Sequence, residues 1–309
     1  MIPVQLSLIA AALTGALNTT GTPKPDPRII YTVTINPADL SGFDVEMRIS
    51  DAPRNIRLAM AVHPEYNDRF WRYLKNLRAD PSPKPVAIAV EKENVWRMQT
   101  RHGGATVHYR IQLPPENPAN RAVWHTALRA DGASLNSVDT FLYLPDFPRS
   151  SARVILIIPA GWQIAAELTG GTIVTMNSWQ HVLDGDVATL LDSPILLGRL
   201  REWGFAVNGV PHRVVYWPLP NATPFDTTEF VGSIERFARQ AFALFGKAPY
   251  PSYTFLIEDG AWGGLEHVGS VSIGAQSRDL AKDPRRIRAY PPLRDKNFRN
   301  KGVNVRHAG

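Results

Sequence analysis

The residues of greatest chemical interest lie late in the chain. Gly263-Gly264-Leu265-Glu266-His267 sets two glycines before an acid and an imidazole. Glycine leaves backbone N–H and C=O groups uncovered, so another main chain can come close. A carboxylate beside such an opening can pair with an ammonium. A lone Glu-His dipeptide is more often a polar loop pair with no function. In an extended segment neighbouring side chains point to opposite faces, so Glu266 and His267 do not readily chelate one ion together. The eight histidines stand at 63, 102, 108, 125, 181, 212, 267 and 307, with successive gaps of 39, 6, 17, 56, 31, 55 and 40. No two are three to five apart, so no single helix can offer two imidazoles to one metal from one face. Cysteine is absent, which excludes disulfides, thiolate catalysis and Cys-ligated zinc. Asp184-Gly185-Asp186 lacks the Gly and Glu of a calcium loop and reads as a turn. Ser193 stands in no G-x-S-x-G context.

The elements that must position these residues change in texture along the chain. Over 29–158 the pattern is strand-like. Phe43-Asp44-Val45-Glu46-Met47-Arg48-Ile49 alternates apolar and polar, as a half-buried antiparallel strand does. Further strands are predicted at 28–35, 86–90, 106–113, 140–144 and 154–158, separated by Pro, Gly, Asn and Asp clusters. The spacing reads as a β-sandwich-like domain over 28–160. One helical insert is predicted at 68–79, with Phe70, Trp71, Leu74 and Leu77 on one face. Beyond 160 the pattern is mixed until the strongest helix signal in the chain, Thr227–Phe245. Asp226 or Thr227 can cap it, Glu229 favours its N-terminal dipole, and Gly246 ends it. A strand at 253–257 and a Gly-rich loop at 259–264 follow. Trp96, Trp124, Trp162 and Trp179 read as core or sandwich-edge aromatics.

The run from Phe245 to Ile257 (FGKAPYPSYTFLI), followed by Gly263-Gly264-Leu265-Glu266-His267, resembles the glycyl aminopeptidase family of gluzincins, whose broader relatives include aminopeptidase N. Leu191-Asp192-Ser193-Pro194-Ile195 is similar to that family's D-S-P segment, and His212-Arg213-Val214-Val215 to the strand after it. The alternating run from Val95-Trp96 through Tyr109-Arg110 resembles its N-terminal β-domain. The likeness covers roughly 28–284. It implies a mixed α and β architecture: an antiparallel β-sandwich-like N-terminal domain at 28–160, then a partial thermolysin-like α/β catalytic domain at 161–284. It further implies that Gly263, Gly264, Leu265, Glu266 and His267 form a substrate-edge strand, with Glu266 binding the free α-ammonium of a peptide. Peptide N-termini are the expected partners.

The same family works through H-E-x-x-H on a helix. Its two His bind zinc, and its Glu is general base for the metal-bound water. The histidine spacing shows no such motif in this chain. The likeness fades at Asp283-Pro284, before the zinc helix would begin, and a frame change or truncation after about residue 284 is the expectation. No catalytic residue, metal ligand or cofactor is therefore assigned within the chain, zinc being expected in full-length relatives. A fragment inactive by itself, or a non-catalytic peptide-binding module or pseudoenzyme, are the readings that remain.

Charge is unevenly spread. Residues 285–309 hold eight basic side chains against Asp295 alone, a net of +7, while the other 284 residues hold 26 basic and 27 acidic side chains. The body gives no electrostatic case for nucleic acid. The tail reads as basic and disordered. The first 21 residues are uncharged, and Val4 to Leu17 is mostly apolar but shorter than the ~20 residues of a membrane span. Residues 1–21 read as a secretory signal peptide, implying a secreted or periplasmic protein and no stable membrane span. N-terminal sequencing of the protein from its native host should give a mature chain that starts after residue 21. A cytosolic chain starting at Met1 would overturn this.

Overall fold

A computed structural model describes residues 26–62, 69–81, 84, 86–113, 121–175 and 178–285. The segments expected to be signal peptide and basic tail lie outside the described residues, except for 285. The described chain is mostly β, with several sheets. The largest has seven strands, in the order Thr169–Thr175, Ser178–Asp186, Ser151–Ile157, Arg28–Thr34, Gly42–Ser50, Ala105–Gln112 and Leu74–Ala79. Alternation decides which face is buried. Ile29, Tyr31 and Val33 point inward, and so do Phe43, Val45, Met47 and Ile49. The register stacks these sets across the sheet, with Tyr31 opposite both Met47 and Val154. Two buried phenols find acceptors, as buried phenols need. Tyr31 donates to Leu142 O at 2.7 Å and Tyr109 to Thr140 O at 3.0 Å.

A three-stranded sheet (Asn55–Ala59, Val95–Gln99, Ile88–Lys92) and a four-stranded one share this core through Ile56, Leu58, Met98, Leu135, Ile195 and Leu197. Sandwich-like packing is thus realised. These sheets take in strands up to residue 198. The strands Gln163–Ala165, Thr169–Thr175, Ser178–Asp186 and Ile195–Gly198 all pair into the sheets of the first part.

Two local expectations are corrected. The stretch expected to be helical at 68–79 forms one 3-10 turn, Phe70–Tyr73, and then the edge strand Leu74–Ala79. One extra residue bulges out between Lys75 and Arg78, with Asn76 at φ +56°. That bulge puts Leu74 and Leu77 three apart on one face, which imitates a helical period. The strand expected at 140–144 is instead the end of the short helix Ser137–Thr140 and a mostly buried extended segment whose Tyr143 makes a single antiparallel bridge to Ala59. Its continuous apolar run reflects burial on all sides, which periodicity cannot tell from a strand.

The second part is a five-stranded sheet in the order Arg201–Val207, Val210–Trp217, Tyr253–Asp259, Ser270–Ala275, Gly264–Glu266. The three middle strands run parallel. The helix Thr227–Phe245 crosses between the first two of these, capped as expected. Asp226 accepts from Glu229 N–H at 3.0 Å, and Gly246 closes the helix at φ +83°. Phe230, Ile234, Ala238 and Phe242 are buried, whereas Phe237, Leu244 and Phe245 are exposed. No helix among the described residues is long and apolar enough to cross a membrane. The two parts meet at a buried ion pair between Arg121 and Glu258, with side chains 3 % and 1 % exposed. Ser134 donates to the second Glu258 oxygen at 3.0 Å. Removing one partner of such a pair leaves an uncompensated buried charge, at a cost of about 3–5 kcal/mol. Arg121→Ala should therefore lower the denaturation midpoint sharply in a urea titration. Arg121→Met with Glu258→Leu should recover most of the loss, and equal losses in single and double variants would contradict this account.

Candidate functional site

The edge strand Gly264–Glu266 pairs antiparallel with Ser270–Ala275, placing Gly264 opposite Ile273 and Glu266 opposite Val271. It is the last strand of its sheet, so its outer side has no strand partner among the described residues. Two contacts hold it from the inner end. The short strand Ala261–Trp262 pairs in parallel with Arg121–Ala122, and Val123 N–H reaches Trp262 O at 3.1 Å. Trp124 then lies against Gly263, where a Cβ would come 2.5 Å from its ring. Gly263 also has φ +91°, so glycine is required there by conformation and by space.

Period-2 alternation sorts the remaining side chains. Leu265 packs with Ala122, Val123, Trp124, Ala261 and Trp262. Gly264 and Glu266 face the other way, onto an open groove of about 1110 Å³ between the helix Thr227–Phe245 and the sheet. Its floor and walls are apolar, including Phe237, Phe242, Phe245, Tyr253 and Phe255. Arg236, Lys247, Arg285 and Glu266 supply the charge. Glu266 is exposed. Burial pushes the Tyr253 hydroxyl up to about 12, helped by the negative neighbours Glu266, Glu167 and Asp192.

His267 does not join this opening as a free imidazole. Its side chain is 7 % exposed, and Nδ1 lies 3.3 Å from Asp192 Oδ1. Burial lowers its pKa below the ordinary histidine value, against the opposing pull of Asp192 and Glu266. Neutral, it donates Nδ1–H to Asp192. Of the five residues expected at the substrate edge, the fold thus brings Gly264 and Glu266 to the groove, turns Leu265 into a small core, and ties His267 down. Gly263 serves the turn. Asp192 and Glu167 carry no short-range signal as neighbours of this hairpin, because about 75 and 100 residues separate them from it. A second concavity, about 960 Å³, lies on the seven-stranded sheet. Its charges pair with one another, as in Arg48 with Glu46 and Arg110 with Asp44.

Zinc is the metal that the resemblance implies. Among the described residues, no group of three or more His, Cys, Asp or Glu side chains is arranged to hold a metal ion. His212, for example, stacks on Phe205 and bonds its Nδ1 to Val210 O, well inside the sheet. The described residues do not fit a zinc centre.

Comparison with known proteins gives three findings. The family model of the peptidase M61 N-terminal domain matches residues 30–199. No curated protein matches the chain. Among solved structures, an aminopeptidase N family protein from Idiomarina loihiensis aligns over 87 % of this chain with TM-score 0.70 and 22 % identity, and the chain spans 45 % of that protein. An M1 zinc metallopeptidase from Deinococcus radiodurans aligns over 84 % of the chain with TM-score 0.48 and 15 % identity, and the chain spans 63 % of it. The chain therefore spans less than two thirds of either structure's length.

The groove leaves large apolar side chains in water, and exposed apolar patches of this kind promote association. Phe237→Glu with Phe245→Glu should reduce binding of a hydrophobic dye and reduce self-association in sedimentation. Because both positions are exposed, stability should move by no more than ~0.5 kcal/mol. Unchanged dye binding would show that the groove is not the adhesive surface.

Proposed function

The chain belongs to the peptidase M61 N-terminal domain family, and from that footing we propose that it is aminopeptidase-like and recognises the free N-terminus of a peptide at Glu266. The observation that carries this is the placement of an exposed carboxylate on an unpaired edge strand at the mouth of a groove. An extended peptide can add to such an edge through main-chain hydrogen bonds. Its α-ammonium then pairs with the Glu266 carboxylate. Gly264 adds no side chain to obstruct the approach. An exposed ion pair in water contributes about 0–1 kcal/mol, so recognition by Glu266 alone is weak.

The finer reading is a chain of the glycyl aminopeptidase type, secreted or periplasmic, that does not hydrolyse peptides by itself. Hydrolysis at neutral pH needs an activated water, and zinc supplies one by lowering the water pKa to about 7. Catalytic zinc takes three protein ligands, and the chain's scattered histidines provide no helix-borne pair for it. A non-catalytic peptide-binding module is the reading that the carboxylate edge supports, since among the described residues no group of three or more metal-ligating side chains stands beside it. Zinc belongs to the proposal only through longer relatives.

The test is to purify the chain, add zinc, and assay an alanyl or glycyl reporter peptide. No turnover and no stoichiometric zinc are expected. Turnover abolished both by a chelator and by Glu266→Ala would overturn the reading.

A further inference from the structure

The hairpin that carries Glu266 is small. Its outer strand has three residues, and its turn is Val268-Gly269. A two-stranded element of this size is marginal by itself. Its tip is instead gripped by two carboxylates from the first part of the chain. Asp192, at the end of the helix Val187–Asp192, accepts from Val268 N–H at 2.9 Å through Oδ2 and faces His267 Nδ1 at 3.3 Å through Oδ1. Glu167 accepts from Gly269 N–H. A Cβ on Gly269 would sit 2.2 Å from Glu167 Oε1, so glycine is what lets this carboxylate reach the turn. Three successive residues directly after Glu266 are therefore fixed by side chains far away in sequence. Glu167 and Asp192 also act electrostatically on Tyr253 together with Glu266.

We propose that Asp192 and Glu167 are positioning residues for Glu266: by holding the turn at 267–269 they set the direction of the carboxylate that meets a peptide N-terminus. This rests on the reading of Glu266 as the ammonium-binding group. Asp192 is the more constrained of the two, because both of its oxygens are used. An asparagine there would offer one acceptor and turn an NH₂ toward the other donor. A glutamine at 167 keeps an acceptor oxygen for Gly269 N–H, whereas an alanine leaves that amide without its partner.

The experiment measures the affinity of a fluorescent Ala-Ala-Phe peptide and of its N-acetylated twin for the full chain. The wild-type chain should prefer the free amine, and Glu266→Gln should erase that preference. Asp192→Asn and Glu167→Ala should each shrink the preference by about threefold, on the scale of one exposed ion pair, with affinity for the acetylated peptide unchanged. Glu167→Gln should retain it. Gly269→Ala, which displaces the Glu167 carboxylate while leaving it charged, should behave like Glu167→Ala. Glu266→Gln erasing the preference while Asp192→Asn and Glu167→Ala leave it intact would overturn the positioning role and spare the proposed function. Equal losses for both peptides, in step with a lower melting temperature, would reduce the pair to a structural role and also overturn it. A wild-type chain with no amine preference would overturn the Glu266 reading, and the positioning role with it.

Discussion

The buried pair of Arg121 and Glu258 is the constraint on which the rest of the arrangement depends. It joins a residue of the first part to the parallel strand Tyr253–Asp259 of the second, with almost no contact with water. Taking both charges out of water is costly, and the attraction offsets that only with good geometry and further hydrogen bonds. The Ser134 hydroxyl supplies one. Trp217 closes the seam, with the Arg129 guanidinium 3.7 Å and that of Arg121 5.5 Å from its ring centroid. Gly132 is required beside it, because a Cβ there would lie 2.5 Å from the indole nitrogen.

From that seam the site follows in steps. Fixing Arg121 aligns Arg121–Ala122 for parallel pairing with Ala261–Trp262. The pairing brings Trp124 onto Gly263 and edge-on to Trp262 at 4.9 Å. Leu265 is then drawn into the same small core, which forces Glu266 to the opposite face. Asp192 and Glu167 secure the far end. The outward aim of Glu266 is thus a consequence of packing on both sides of a three-residue strand.

The five-stranded sheet is unevenly covered. Parallel strands are ordinarily buried on both faces. One face rests on the first part through Val215, Trp217 and Leu256 against Ala165 and Leu196. The other is covered by a single helix over Val214, Tyr216, Phe255 and Ile257, which leaves the groove beside Ser270–Ala275 open. The helix's apolar stripe is wider than the surface it covers, which is why Phe237 and Phe245 fit the 3.6 period yet lie in water.

Whatever local chemistry can encode was legible in the residues themselves. Alternation marked the strands at 28–35, 43–49, 106–113 and 154–158. The Asp226 cap, the apolar period and Gly246 bounded the long helix at the residues where it starts and stops. The G-G-L-E-H run pointed to an opening beside an acid. The bulge at 75–78 misled because a one-residue slip in a strand and a helical turn leave the same three-residue spacing. Which of the five residues reach the groove, and which distant groups hold them, depended on packing between the two parts. Glu258 with Arg121, and Asp192 and Glu167 with the turn at 267–269, are partners separated by some 75 to 140 residues. No short-range pattern carries such pairings, because they form only when the two parts pack and each buried charge or amide must find a partner.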